Sequence, residues 1–215
     1  MLDALSRADS ATARHCAAVA RYARELCRAA GHGAGEQELV HAAGLLHDVG
    51  KAHFPVHIFT GQRRLSPEDW EIIRRHPEQG AEMILRVPGL AAVAELVLCH
   101  HERPDGRGYP RGLRGPKIPP LSRMISVADT YDVMTARDSY RRPVSQPAAI
   151  AELRRVSGTQ LDRGLVKVFT EMLERRKRAF VPKDLDVGSE LRAVSPGVVP
   201  PGLLGEPVWA SAPAA

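Results

Sequence analysis

The sequence predicts an all-α fold, a helical bundle of about seven helices followed by a disordered or extended C-terminal tail. Three observations support this prediction. Apolar residues recur with a helical period through most of the chain. No segment keeps the alternating period of a β-strand. After Phe180, prolines accumulate together with glycine and alanine, a composition typical of poorly ordered chain. We therefore expect one domain at residues 1–178 and a tail at 179–215.

The first two helices are expected before residue 50. An apolar stripe predicts the first at about 9–30, and Gly31 suits its C-terminal end. The second is expected from about residue 36 to 48, where Gly50 interrupts the pattern. Residues 52–64 carry proline and glycine and are expected to form a loop.

The third helix has the clearest start. Ser66 is a good cap, Pro67 suits the first helical position, and two acidic residues follow in the first turn. This helix is expected to end just before Pro77. The remaining helices are expected at about 77–86, 90–101, 118–136, 146–156 and 162–178.

Composition excludes several classes of protein. No apolar run reaches the roughly 18 residues of a membrane span, and the first residues lack the layout of a signal peptide. The three cysteines lack metal-pair spacing and are expected to be reduced thiols of a cytoplasmic protein. The net charge of +5 suits an anionic partner such as a nucleotide. With aromatic residues at only 5% and no basic stripe, a nucleic-acid polymer is not expected.

Adjacent histidines at 100 and 101 run into a turn rich in glycine and proline, and this pair points to a metal. Imidazoles seldom lie side by side in a protein interior unless each has a partner, and neutral imidazole is the commonest transition-metal ligand. A second adjacent pair, His47 and Asp48, can offer an imidazole to one ion and a carboxylate that bridges two.

Further candidate ligands come from distant segments: His15, His76 and Asp129. Each alone has an ordinary explanation as a helical histidine, a helix end or a capping carboxylate. Together with the two adjacent pairs they indicate a metal site assembled by the fold. The other four histidines have no motif support and are expected to be structural: His32, His41, His53 and His57.

These residues resemble the HD-GYP branch of the HD phosphohydrolase superfamily. The resemblance rests on His47-Asp48 with Lys51, and on His100-His101-Glu102 followed by residues 105–110, Asp-Gly-Arg-Gly-Tyr-Pro. Three more segments are similar to the family at residues 75–80, 127–135 and 157–162. The match extends over roughly residues 9–175.

The resemblance implies a helical catalytic domain, at 1–178 here, that binds two or three divalent transition metals and hydrolyses cyclic di-GMP to pGpG, often onward to GMP. Two such cations roughly 3.5–4 Å apart can acidify a bridging water to the attacking hydroxide. Iron or manganese is favoured, although zinc, cobalt or nickel would also fit. The implied ligands are His15, His47, Asp48, His76, His100, His101 and Asp129, with Asp48 bridging. The implied catalytic residues are His47, Asp48 and Lys51.

The substrate contacts implied are Lys51, Gly106, Tyr109, Arg137 and Arg141. The chain departs from the family at two places. Ala11 occupies the position of a glutamate that serves a third metal in some members, so we expect two metals. Asp138 occupies the usual position of a phosphate-contacting arginine, which leaves Arg137 one position early and makes Arg141 the stronger candidate.

Alternatives stay open. The substrate could be another cyclic dinucleotide, such as 3′,3′-cyclic GMP-AMP, or a different nucleotide, and the chain could instead be a catalytically silent module that senses nucleotide or docks a signalling protein. No sensor domain is recognised in the 215 residues, so control is expected from a homodimer, a separate regulatory protein, metal occupancy or expression. No membrane partner is expected.

Overall fold

The computed structural model describes residues 10–55, 57–58, 65–136, 142–175 and 190. Within these residues it contains eight α-helices and no β-strand, which confirms the all-α prediction. The two short helices on either side of Arg75 meet where the sequence predicts a break before Pro77. The helices are α1 (Ser10–Ala29), α2 (Ala34–Leu46), α3 (Pro67–Arg74), α4 (His76–Leu85), α5 (Ala91–Leu98), α6 (Pro120–Thr135), α7 (Gln146–Val156) and α8 (Arg163–Arg175). Short 3₁₀ helices follow α2 at Val49–His53 and precede α6 at Gly115–Lys117. The expected boundary at 178/179 lies outside the described residues.

The core is built on the hairpin of α1 and α2, which packs against α6. Gly44 of α2 lies directly on Ala20 of α1, where an added Cβ would come within 2.6 Å of the Ala20 Cα atom. The two helix backbones can therefore approach closely. The buried apolar residues of α5, α7 and α8 complete the core around α6.

The 3₁₀ helix after α2 is held tightly against α4 through Gly50. A Cβ atom at this position would lie 2.1 Å from the carbonyl oxygen of His76, so only glycine fits. The glycine that interrupts the second helix in the sequence therefore brings two segments with candidate ligands into contact.

Helix α3 begins as the sequence predicts. The hydroxyl of Ser66 accepts a hydrogen bond from the Asp69 backbone N–H at 3.2 Å, and the Asp69 carboxylate accepts one from the Ser66 N–H at 2.8 Å. This reciprocal pair satisfies two backbone donors at the helix end.

Helix α5 is shorter than predicted. It ends at Leu98 rather than near residue 101, so the adjacent histidines lie in the turn that follows it. The reason lies in side-chain contacts, because the Leu96 and Val97 carbonyls, which would accept the next two N–H groups of a longer helix, lie 3.0 Å from the Ser122 hydroxyl of α6 and 2.5 Å from the His100 Nδ1 atom. No helix in the described part of the chain is long and apolar enough to cross a membrane.

Candidate metal centre

The structure brings together all seven residues that the sequence suggests as metal ligands. Their donor atoms form three overlapping groups, each with every pair of atoms within 4.8 Å. The side chains come from α1, the end of α2, the first residue of α4, the turn after α5, and α6. They are His15, His47, Asp48, His76, His100, His101 and Asp129.

One half of the cluster surrounds the Oδ2 atom of Asp48. The His15 Nε2 atom lies 3.7 Å from this oxygen, and the His47 Nε2 atom lies 3.4 Å from it. Asp129 adds an oxygen 3.3 Å from His15 Nε2. Two imidazole nitrogens and two carboxylates thus face a common point.

The other half lies at the Oδ1 atom of the same carboxylate. The His76 Nε2 atom is 3.5 Å from this oxygen and 3.2 Å from the His100 Nε2 atom. The His101 ring lies beside them, with its centroid 4.0 Å from that of His100. The two oxygens of Asp48 therefore face two different sets of histidines, which is the arrangement of a carboxylate that can bridge two ions.

Backbone carbonyls fix the orientation of three histidines. The Nδ1 atoms of His47, His76 and His100 lie 2.8, 2.7 and 2.5 Å from carbonyl oxygens three residues earlier in the chain. When Nδ1 donates to a carbonyl, Nε2 carries the lone pair, so each ring presents a ligand atom to the cluster.

His15 is oriented in a different way, by a carboxylate. Its Nδ1 atom lies 2.7 Å from Oδ2 of Asp132, which is 2% exposed and one helical turn after Asp129 on α6. A carboxylate on the far nitrogen fixes the ring and makes it a more basic ligand. Sequence reasoning missed Asp132, although its spacing from Asp129 places both on one helix face.

The charge states suit metal binding. Burial lowers the pKa of the His76 and His101 imidazoles to about 4 and about 3, and it also lowers those of His47 and His100. These rings are thus neutral near pH 7 and have lone pairs available. Burial opposes ionisation of Asp48 too, but the surrounding histidines and Lys51 outweigh it and hold its pKa well below the ordinary value.

The remaining titratable groups of the first half are coupled. Burial disfavours the charged form of His15, yet its hydrogen bonds to Asp129 and Asp132 prevail and raise its pKa to about 10. Burial likewise opposes ionisation of Asp129, whose pKa is nevertheless lowered by His15. A bound cation would replace the proton that His15 holds between these carboxylates.

Two buried polar atoms of the cluster bear on whether a metal ion fits here. Among the described residues, His47 Nε2 and Asp48 Oδ1 are buried polar atoms without a hydrogen-bond partner. Leaving such groups unsatisfied costs free energy, roughly 1–3 kcal/mol each. Both atoms are ligand types that accept a divalent cation, so the residues present fit a metal.

Lys51 lies at the edge of the cluster and pairs with Asp48. Its Nζ atom is 2.6 Å from the Asp48 Oδ2 atom, and about a third of its side chain is exposed. Burial lowers the pKa of Lys51, but Asp48 outweighs it and raises the value, so the ammonium stays charged. It supplies a fixed positive charge beside the carboxylate that faces both halves.

The turn after the adjacent histidines packs Tyr109 onto the cluster. Its ring stacks on His101, with centroids 4.9 Å apart and planes inclined by 28°. Gly106 has a φ of +77°, and a Cβ on Gly108 would lie 2.4 Å from the Arg103 nitrogen. Both glycines are therefore required by the turn itself.

Glu102 stabilises this turn from inside. It is 1% exposed, and its two carboxylate oxygens accept the backbone N–H groups of Arg111 and Leu113 at 2.7 and 2.8 Å. Asp105 accepts the Arg107 N–H at 3.0 Å. Both acids therefore hold the turn through its own backbone N–H groups.

The predicted phosphate contacts Arg137 and Arg141, and Asp138 between them, lie outside the described residues. The other predicted substrate contacts, Lys51 and Tyr109, lie beside the cluster, and Gly106 lies in the turn that carries Tyr109.

Comparison with known proteins gives consistent matches. The model of a family described as HD domain matches residues 1–165. A cyclic di-GMP phosphodiesterase of Thermotoga maritima is 37% identical over 132 residues, which are 60% of this chain and 36% of that protein. The 3′3′-cGAMP-specific phosphodiesterase 2 of Vibrio cholerae is 32% identical over 162 residues, 74% of this chain and 31% of that protein. The chain thus spans about a third of the length of these curated relatives.

Among solved structures, an HDG"Y"P protein from Bdellovibrio bacteriovorus has the same fold. Its TM-score is 0.61 at 23% identity, and the match covers 74% of this chain and 51% of that one.

Proposed function

The chain belongs to the HD domain family, and on this premise we propose that it is a metal-dependent phosphodiesterase that hydrolyses cyclic di-GMP to pGpG, with onward cleavage to GMP as a second step. One observation carries the proposal. The two oxygens of Asp48 face two separate sets of inward-pointing imidazoles, while His47 Nε2 and Asp48 Oδ1 are buried without a hydrogen-bond partner.

The proposed cofactor is a pair of divalent ions. His15, His47 and Asp129 would hold one ion, the three histidines at 76, 100 and 101 would hold the other, and Asp48 would bridge them. The nitrogen and carboxylate donors suit iron or manganese and would also fit zinc, cobalt or nickel, and the resemblance to the HD-GYP branch favours iron or manganese. Ala11 on α1 carries no ligand atom, which supports two ions rather than three. When bound, such a pair neutralises the phosphodiester and activates water.

The proposed reaction is the hydrolysis of one phosphodiester bond. One water adds to a phosphorus atom of the cyclic dinucleotide, the bond from phosphorus to the 3′ oxygen breaks, and a linear product with a 5′-phosphate and a free 3′-hydroxyl results. Lys51 would neutralise a non-bridging phosphate oxygen from the edge of the cluster. The side chain of Lys51 is about one third exposed and its ammonium group is charged, and both properties support this role.

Tyr109 and the turn that carries it would form one wall of the substrate site. The phenol ring already lies against His101, so a guanine base could contact its opposite face. Gly106 would allow the backbone to approach the substrate, and Arg137 and Arg141 would contact phosphate.

A second candidate substrate is 3′,3′-cyclic GMP-AMP, favoured by the similarity to the Vibrio cholerae protein specific for that dinucleotide. Chromatographic analysis of products from a panel of cyclic dinucleotides, with manganese or ferrous iron, separates these possibilities. We expect pGpG from cyclic di-GMP. A metal-replete protein that binds the dinucleotide and yields no linear product over hours would instead be a silent sensing or docking module.

The wider organisation follows from the same proposal. The catalytic domain would span residues 1–178, with a Pro/Gly/Ala-rich tail at 179–215. The free thiols are in keeping with the cytoplasm. A homodimer or a separate regulatory protein would supply control.

A further inference from the structure

A polar cavity lies on the hairpin of α1 and α2, and none of its lining residues is a candidate metal ligand. Its volume is about 340 Å³. Three arginines of α1 line it at positions 21, 24 and 28, together with His41 of α2 and Glu190. Arg21 is six residues after His15, which is about 9 Å along the helix, and Arg28 is farther still.

The three arginines lie on one side of α1. Their spacing of three and four residues places them on the same helix face. Arg24 also forms an ion pair with Glu38 of α2, which holds its guanidinium against the hairpin. Arg28 is exposed at the far end of the cavity. Guanidinium groups arranged in this way suit a planar or tetrahedral oxyanion.

Glu190 places a carboxylate in this cavity from far along the chain. One of its oxygens lies 2.9 Å from the His41 Nε2 atom, and the other lies 3.7 Å from Arg21 Nε. The side chain of His41 is only 3% exposed, so its ring is part of the cavity wall rather than a surface group. The site thus already holds an anionic group, one supplied by the protein itself.

We propose that this cavity is a second anion-binding site, which takes the phosphate group of a small phosphorylated molecule in exchange for the Glu190 carboxylate. The volume of about 340 Å³ is several times that of a single carboxylate. Arg24 is already paired with Glu38, so with Glu190 displaced Arg21 and Arg28 face the single carboxylate of Glu25, and a phosphate group supplies the negative charge that Glu190 gave up. Neither observation depends on the metal centre or on the activity proposed for it.

The test is calorimetric titration of the metal-free, full-length protein with inorganic phosphate. We expect Glu190→Gln to bind phosphate about fivefold more tightly than the wild type, because the internal competitor is neutralised. The double change Arg21→Gln and Arg28→Gln should weaken binding by about tenfold or more, since each removes a charge-assisted contact. Circular dichroism checks that these surface substitutions leave the fold intact.

Two control variants make the result decisive. Arg155→Gln removes an exposed arginine that pairs with Glu152 on α7, and it should leave phosphate binding unchanged. Lys51→Gln removes the ammonium group beside the candidate metal centre, so loss of phosphate binding in this variant would place the phosphate at that centre and overturn the proposal. Equal affinity of the wild type and Glu190→Gln, or no binding by either, would overturn it as well.

Discussion

Replacing Asp132 with asparagine should weaken binding of the ion nearest His15 by about 10- to 100-fold, which is about 1.4–2.8 kcal/mol. Asp132 is 2% exposed, and its carboxylate lies 2.7 Å from the Nδ1 atom of His15. Asparagine keeps the shape and can still accept the hydrogen bond, but it removes the charge that makes the imidazole a strong ligand. The change therefore tests the contribution of charge rather than packing.

The assay is calorimetric titration of the metal-free protein with manganese, followed by elemental analysis after dialysis. The wild type should retain two ions per chain at the end of dialysis, and Asp132→Asn should lose one of them. The other half of the centre, at His76, His100 and His101, should keep its affinity, because Asp132 acts through His15, which belongs to the first half.

A matched control separates this effect from loss of a structural ion pair. Asp162 is a half-buried carboxylate that precedes α8 and pairs with Arg123, and it belongs to none of the candidate ligand groups. Asp162→Asn should lower the melting temperature without changing either metal affinity. Retention of both ions at wild-type affinity by Asp132→Asn would refute the positioning role.

Three further predictions concern stability and reactivity. Gly50→Ala should destabilise the fold by about 1–3 kcal/mol in a denaturant titration, because the new Cβ would lie 2.1 Å from the His76 carbonyl oxygen. Gly33→Ala, which meets nothing within 4 Å, should be close to neutral, and equal effects of the two would contradict this. Removal of bound metal by a chelator should lower the melting temperature by about 5–10 °C in scanning calorimetry, because a ligand at 100 times its Kd stabilises the folded protein by about 2.7 kcal/mol. An unchanged melting temperature would argue against a metal site that forms only in the folded state. Burial raises the pKa of the thiols of Cys16, Cys27 and Cys99, so the folded protein holds less thiolate at pH 8 than the unfolded chain does. Labelling by a disulfide reagent should therefore be slow until denaturant is added. Rapid labelling of the folded protein would contradict the burial of these three cysteines.

The sequence predicts the helices best where local chemistry decides their ends. Helix α7 occupies Gln146–Val156 as expected, and Ser145 caps it by accepting the Ala148 N–H. The Ser66 cap of α3 is likewise a local interaction. The end of α5 was predicted about three residues too late, because the Ser122 hydroxyl of α6 and the His100 imidazole contact the carbonyls that a longer helix would need, and no local signal at Leu98 indicates those contacts.

The same division holds at the candidate site. The adjacent pairs His47-Asp48 and His100-His101, together with the family resemblance, indicated which side chains the fold brings together. Imidazole and carboxylate groups are recognisable as metal ligands from the sequence alone. Asp132 escaped notice because one helix presents many polar residues, and only the fold shows which of them faces His15. The partners of Glu102 are backbone N–H groups at 111 and 113, which carry no sequence signature and are seen only in the fold. The ligand assignments themselves stay a proposal.

The most direct test of a two-metal phosphodiesterase is the rate of pGpG formation from cyclic di-GMP as a function of the number of ions bound per chain. We expect negligible product up to one ion per chain, a steep rise as the second ion binds, and no product from Asp48→Ala at any manganese concentration, because this carboxylate faces both halves of the centre. Full activity with a single ion, undiminished activity after chelation, or turnover by Asp48→Ala would contradict it.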